Sequence, residues 1–137
     1  MSGILQLDKL LHSMSPELQN GEFVFCTVDG VYGQYSELSP LASFDEPEGL
    51  TLVLSVESAL RAGLAFEARF RQITLKVHSS LEAVGLTAAV AAELTKSNIS
   101  ANVIAAHFHD HVFVPSERAE DAMNALLNLS GGSSEIL

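Results

Sequence analysis

The densest group of side chains with reactive chemistry is a histidine cluster at residues 107–111, which reads His-Phe-His-Asp-His. Imidazole and carboxylate groups are common ligands of zinc and nickel. In an extended strand the three histidines would share one face, because side chains two residues apart point the same way. A tight turn at this point would separate them, and no Cys or Glu at ligand spacing lies nearby. We therefore expect a turn with exposed or hydrogen-bonded histidines, and the alternative is a metal site at His107, His109 and His111.

A second candidate site is the stretch from His78 to Thr87, where a predicted strand gives way to a predicted helix. The free N–H groups at a helix N-terminus, together with the helix dipole, favour a bound carboxylate. Ser79, Ser80 and Thr87 would add hydroxyl donors. The alternative is ordinary capping, because Ser79 and Glu82 have the spacing of a capping box. The residue types alone leave both interpretations open.

Sequence signatures of catalysis are thin in this chain. We find no glycine-rich phosphate loop, nucleophile elbow or zinc-protease helix. Cys26 is the single cysteine and lies in the apolar run 23–28 without an activating base beside it, so we interpret it as a buried structural thiol. The residues predict neither an enzyme nor a bound cofactor.

Composition limits the classes of partner. The 137 residues are 47% hydrophobic, which is enough for a well-buried core. Seven basic residues against seventeen acidic ones give a formal net charge of −10, and no stretch clusters Lys or Arg. This balance disfavours nucleic acid and anionic membrane surfaces. No segment approaches the roughly 20 apolar residues that span a bilayer, and the N-terminus lacks a secretory signal pattern. We expect a soluble, cytoplasmic protein.

Hydrophobic periodicity predicts the elements that position these groups in the first half of the chain. Apolar residues at helical spacing predict a short helix over 5–14, and the run 22–28 predicts a strand. The predictions that follow are turns and short edge strands over 29–49, a strand over 50–54 and a helix over 56–62 ended by Gly63.

The second half has a clearer order of elements. We predict a strand over 68–78 with one buried side, a helix from about Ser80 to Ser97, strands over 99–106 and 111–114, and a last helix capped by Ser116. This order predicts an α+β fold of the ferredoxin-like plan, in which helices cover one face of a mostly antiparallel sheet. The first half shows a looser version, which suggests an internal duplication.

Four segments carry a resemblance to a known family: residues 48–53, 73–90, 99–106 and 109–115. On these residues the chain is similar to a family of small, uncharacterised bacterial ACT-domain proteins. ACT domains are small-molecule-sensing folds of amino-acid metabolism. The resemblance covers most of the chain and implies two ACT-like units in tandem with antiparallel sheets, a degenerate one over 1–68 and a second over 69–137. It also implies dimerisation or side-by-side sheet pairing.

The resemblance further implies where an effector would bind. ACT effectors usually lie at an interface, against the loop after the first strand and the start of the second strand. Gly85 falls at the loop glycine and Asn98–Ile99 at the start of that second strand, whereas Val84 stands where proline is usual and a serine-rich loop where aspartate is usual. The implied ligand-binding residues are Ser79, Ser80, Glu82, Val84, Gly85, Leu86, Thr87, Ile99, Asn102 and Val103.

Three functions compete. The first is a regulatory sensor that binds an amino acid or similar carboxylate as a homodimer. Its carboxylate seat would be Ser79, Ser80 and the amides near Gly85, and its side-chain pocket would be shaped by Asn102 and the apolar residues around Ile99 and Val103. The second is an interaction module whose exposed sheet edge pairs with itself or another protein without a ligand. The third is a metal-binding protein that uses the histidine cluster.

Overall fold

The computed structural model describes residue 9, residues 11–76 and residues 85–131. Backbone contacts divide the chain into two compact units. We call Asn20–Phe70 the inserted unit, and the combination of Met1–Gln19 with Arg71–Leu137 the split unit. The domain ranges 1–68 and 69–137 stay a prediction.

The described residues form seven strands, three bounded α-helices and three short 3-10 helices. The strands are β1 (Pro16–Leu18), β2 (Phe23–Val28), β3 (Ala42–Glu46), β4 (Gly49–Ser55), β5 (Phe70–Leu75), β6 (Asn102–Ala105) and β7 (Asp110–Pro115). The α-helices with bounds inside the described residues are α1 (Val56–Ala62), α2 (Leu86–Lys96) and α3 (Ala119–Leu129). Short 3-10 helices cover Tyr32–Gln34, Ser36–Leu38 and Ser116–Arg118. Half of the helix predicted over 5–14 lies outside the described residues, and residues 9 and 11–13 are helical.

The inserted unit pairs three antiparallel strands in the order β3-β4-β2. Because side chains alternate along a strand, every second residue of β2 and β4 enters one core. Val24, Cys26, Leu52 and Leu54 are buried there together with Ala59 of α1. The apolar alternation of β2 and β4 therefore fixes which face of this sheet the helix covers.

The predicted helix over 56–62 and its glycine stop are confirmed. The Ser55 side chain caps the start of α1, because its Oγ accepts from the Ser58 N–H at 3.1 Å. Gly63 ends the helix in the left-handed region at φ 70°, which glycine adopts without steric cost. The stretch 29–49 contains the expected edge strand, β3, along with two of the 3-10 helices.

The split unit has the strand order β1-β5-β7-β6, with β1 antiparallel to β5 and β6 antiparallel to β7. One core joins Ile73 and Leu75 of β5 to Val112 and Val114 of β7. The helix residues in the same core are Leu86, Val90 and Leu94 of α2 and Ala119, Ala122, Ala125 and Leu126 of α3. Both helices thus cover the same sheet face, as the ferredoxin-like plan predicted.

The buried side predicted for the strand over 68–78 is present at Ile73 and Leu75, but Gln72 and Thr74 on its second side are also only 7% and 5% exposed. One local prediction was wrong. Ser116 was expected to cap the last helix, but it begins a 3-10 turn without a side-chain capping bond, and α3 starts at Ala119. The sequence pattern also failed to indicate β1, whose first residue is Pro16. Proline is nonetheless tolerated at the first position of a strand.

Candidate functional site

The N-terminus of α2 holds the part of the predicted carboxylate seat that the structure describes. Gly85 precedes the helix at φ 100°, a left-handed conformation suited to glycine. Among the described residues, no side chain caps this end, and the first turn contains no acidic residue. The first bond within the helix runs from the Ala89 N–H to the Gly85 carbonyl at 2.8 Å. The N–H groups of Leu86, Thr87 and Ala88 therefore come before the first bond of the helical ladder, at the end of the helix where an anion is stabilised.

Thr87 and Asp110 bring this helix end beside the start of β7. The Thr87 hydroxyl donates to Asp110 Oδ2 at 3.4 Å, a long contact. Thr87 is exposed and Asp110 is half-buried, whereas Leu86 is buried in the core. Sequence reasoning missed Asp110 as a neighbour of the seat. Its partner lies 23 positions earlier in the chain, so no local spacing could reveal the contact.

Ile99, Asn102 and Val103 lie toward the opposite end of α2. The helix has 11 residues, which corresponds to about 16 Å of helix length. Ile99 is buried and Asn102 is exposed, and Val103 packs against the core. Within the split unit, the structure therefore brings Gly85, Leu86 and Thr87 together but separates them from Ile99 and Asn102.

Ile99 lines an open cleft of about 480 Å³ at the C-terminal end of α2. The side chains around it combine hydroxyl, amide, carboxylate and guanidinium groups on an apolar floor. The lining residues are Thr95, Asn98, Ile99, Ser100, Pro115, Glu117 and Arg118. This volume lies within the range of small-molecule pockets.

Arg118 fixes the backbone at the rim of that cleft. Its Nη1 and Nη2 donate to the carbonyls of Asn98 and Ser97 at 3.2 and 3.1 Å, and its Nε donates to Asp121 Oδ2 at 3.1 Å. Asn98, two residues past the end of α2, lies in the left-handed region at φ 58°. The guanidinium thus provides hydrogen-bond partners for two carbonyls just past the helix end. Sequence reasoning missed this role because about 20 residues separate the partners.

The histidine cluster forms the hairpin between β6 and β7. Gln72 Nε2 and Thr74 Oγ1 lie 3.0 and 3.1 Å from His111 Nδ1. Burial lowers the pKa of His111, the nearby His109 lowers it further, and Asp110 opposes both effects. His107 is exposed and its ring packs edge-on against Phe108. Among the residues that the structure describes, no three His, Cys, Asp or Glu side chains are gathered closely enough to hold a metal ion.

The remaining predicted site residues, Ser79, Ser80, Glu82 and Val84, lie outside the described residues. Cys26 is buried in the inserted unit, and burial raises the pKa of its thiol. This agrees with the interpretation of a structural thiol, because the thiolate is the nucleophilic form. Across the described ranges, no helix has both the length and the apolar character needed to cross a membrane.

A four-stranded sheet with two helices on one face, in a chain with a smaller unit of similar plan, has the architecture of tandem regulatory ACT domains. Residues 2–71 and residues 67–128 each match the ACT domain family. The chain belongs to this family. The predicted α+β fold with two ACT-like units in tandem is confirmed.

Solved structures extend the likeness. A Vibrio cholerae protein of unknown function, described as a possible transport protein, is 56% identical with a TM-score of 0.87, and the match covers 93% of this chain and 98% of that chain. Aspartokinase III of E. coli, in complex with aspartate and ADP, is 14% identical with a TM-score of 0.61 over 84% of this chain and 33% of that chain.

The ligand-free regulatory subunit of aspartate kinase from Thermus thermophilus is 9% identical to this chain, with a TM-score of 0.57 over 85% of this chain and 95% of that chain. At such identities the two kinase structures show a shared fold alone. No curated protein matches the chain.

Proposed function

We propose that this chain is a non-enzymatic regulatory protein that binds an amino acid or similar small carboxylate at the N-terminus of α2. The observation that carries the proposal is the first turn behind Gly85, which has no acidic residue and no capping side chain among the described residues. Such a helix end stabilises an anion through its N–H groups and its dipole. The proposed seat combines Gly85, Leu86 and Thr87 with four residues that precede them in the chain, Ser79, Ser80, Glu82 and Val84.

Family membership supports a regulatory role over a catalytic one. The fold is shared with a regulatory subunit of aspartate kinase and with an aspartokinase whose structure contains aspartate. An amino acid is therefore the first class of effector to test. A shared fold by itself does not assign a ligand, so the effect of substituting the seat residues on ligand affinity must be measured.

Asp110 favours an α-amino acid over a carboxylate that lacks an ammonium group. Its carboxylate lies beside Thr87 at the same helix end. An ammonium group bound to Asp110 would leave the ligand carboxylate to the amides of α2, so the two charges of a zwitterion would each have a partner. If Asp110 instead occupies the helix end itself, its removal will strengthen binding of a simple carboxylate.

We assign Ile99, Asn102 and Val103 to the effector site through a second copy of the chain. The length of α2 prevents one small effector from contacting both Gly85 and Ile99 of the same unit. We therefore propose a homodimer in which the seat of one copy faces the residues around Ile99 of the other. The cleft at Ile99 supports this arrangement, because it offers an apolar floor with polar groups around it.

A second candidate function is that of an interaction module that assembles through β6 without a ligand. Within the described residues, β6 pairs only with β7 and forms an edge of the split unit. The stretch 98–108 contains no Asp, Glu, Lys or Arg in a chain with net charge −10. Two acidic chains can approach along such a stretch without opposing like charges.

The first experiment is thermal unfolding of the purified chain against proteinogenic amino acids at millimolar concentration. A ligand present at about 100 times its Kd stabilises the folded state by about 2.7 kcal/mol, which raises Tm by several degrees at this size. A specific hit supports the sensor. A flat panel, with a dimer that forms regardless of metabolites, supports the interaction module instead.

Variants of the seat then test the residues. Thr87→Ala and Asp110→Asn should each weaken binding of the hit, and Thr27→Ala, an exposed threonine of the inserted unit, is the matched control. The hit and its N-acetyl derivative separate the two charges. Loss of the preference for the free amino acid in Asp110→Asn supports the ammonium contact, and unchanged affinities in both seat variants would overturn the assignment.

A further inference from the structure

The hairpin between β6 and β7 places two histidines on the sheet face opposite the helices. Asp110 points toward α2, because it contacts Thr87. Side chains alternate along an extended strand, so His109 and His111 point to the other face. The contacts of His111 with Gln72 and Thr74 agree with this placement, because those residues alternate with Ile73 and Leu75, which enter the core beneath the helices.

The spacing of His109 and His111 suits a shared ion. Backbone pairing continues through His109, whose carbonyl accepts from the Ala106 N–H at 3.0 Å, so the chain is extended up to the turn. Two residues of extended strand span about 7 Å between Cα atoms. Imidazole nitrogens bind zinc at about 2.0–2.1 Å, and two imidazoles on neighbouring positions of one face can converge on one ion.

Gln72 and Thr74 supply the support that a metal-binding imidazole needs. Both side chains are more than nine-tenths buried and lie within hydrogen-bond distance of His111 Nδ1. A hydroxyl can donate or accept, and a glutamine amide can present either its nitrogen or its oxygen. When Nδ1 carries the proton, its N–H donates to Thr74 Oγ1 or to the amide oxygen of Gln72, and the Nε2 lone pair becomes available to a metal. Partners of this kind set the tautomer and the ring orientation of metal-ligating histidines.

We propose that His109 and His111 together bind a divalent cation of the zinc, nickel and copper group. Imidazole ligands suit this group, and its preference for nitrogen excludes calcium and magnesium, which prefer oxygen. Within the part of the chain that the structure describes, these two side chains supply the ligands, and the remaining positions are open to water. This site is independent of the proposed effector seat, because it faces away from α2.

Isothermal titration of the tag-free, EDTA-treated and dialysed chain with Zn²⁺ tests the proposal. We expect one ion per chain and an affinity that falls about tenfold or more in His109→Asn and in His111→Asn. His107→Asn is the matched control, because His107 is an exposed histidine of the same hairpin. Thr74→Val probes the supporting contact and should weaken binding while both ligands remain.

A second measurement uses the unaltered chain, so its result does not depend on whether a variant folds. In the unaltered chain, Zn²⁺ should shift the imidazole nitrogen resonances of His109 and His111 and leave those of His107 and His12 in place. The proposal is overturned if millimolar Zn²⁺ produces neither heat nor shifts, if folded His109→Asn binds with unchanged affinity, or if binding requires His107. Since this readout uses the metal alone, its failure says nothing about the amino-acid site.

Discussion

The two units present sheet edges of opposite character. β3 is the edge of the inserted unit, and it carries the exposed carboxylates of Asp45 and Glu46 next to the exposed ring of Phe44. β6 is the edge of the split unit and lies in the charge-free stretch 98–108. Natural proteins protect edge strands with charged side chains. Charged side chains therefore oppose the pairing of β3 with another strand, whereas β6 carries no charged side chain that would oppose it.

The units also use a left-handed glycine at opposite helix ends. Gly63 follows α1, where the helix dipole is negative, and Gly85 precedes α2, where it is positive. The same backbone conformation therefore stops a helix in one unit and opens an anion-attracting end in the other. The two glycines therefore differ in electrostatic environment because of the direction of the helix, and not because of the glycine itself.

Core truncation in each unit is expected to have the largest effect. Leu94 of α2 and Leu52 of β4 are fully buried, so replacement of either by alanine should lower the free energy of unfolding by about 2–5 kcal/mol. Urea unfolding measures the loss, and hydrogen exchange locates it. We expect amides to lose protection mainly in the unit that carries the substitution. Equal loss in both units from either variant would show that they unfold as one.

The contrast between the edges is tested with a lysine on each. Ala105→Lys on β6 should weaken dimerisation at least about tenfold, or about 1.4 kcal/mol, because a charge on an edge strand opposes pairing. Phe44→Lys on β3 should leave the dimer intact. Sedimentation velocity over a concentration series gives both constants. A dimer lost in Phe44→Lys and kept in Ala105→Lys would reverse the comparison.

The two glycines form a matched pair. Gly85→Ala and Gly63→Ala should each lower the free energy of unfolding by about 1 kcal/mol, since alanine is strained at positive φ. For Gly63 the cost is conformational alone, because no atom lies within 4 Å of the added methyl group. Only Gly85→Ala should also weaken binding of an amino acid that raises Tm in the unaltered chain. Equal affinity in the two variants would count against the seat at α2.

The smallest expected effect is a dependence of stability on pH in the split unit. The folded state lowers the pKa of His111, so its contribution is fully present above the unfolded value of about 6.5 and is lost as pH falls through the folded value. His109 and Asp110 flank it, and uncharged Gln72 and Thr74 face it from β5. Unfolding measured in EDTA from pH 7.5 to 5 should therefore show a shallower decline in His111→Gln. An unchanged slope would assign the pH dependence to other groups.

Local patterns were sufficient for much of the fold. The apolar run 50–54 predicted β4, and the segment 56–62 followed by Gly63 predicted α1, because strand pattern and helix termination act over a few residues. The second side of β5 could not be predicted, since Gln72 and Thr74 are polar and their burial depends on His111, which lies 39 and 37 positions away. The same applies to Arg118, whose partners are carbonyls at the end of another helix.

The sequence by itself determined the family, the acidic charge, and the order of the strands and helices apart from β1, because each is written in neighbouring residues. Only the tertiary structure decided which polar groups meet. It placed Asp110 beside Thr87, separated Ile99 from Gly85 by the length of α2, and turned His109 and His111 away from the helices. These relations depend on how the β6–β7 hairpin pairs and on where α2 packs. Contacts between residues far apart in the chain follow from packing, which no local spacing encodes.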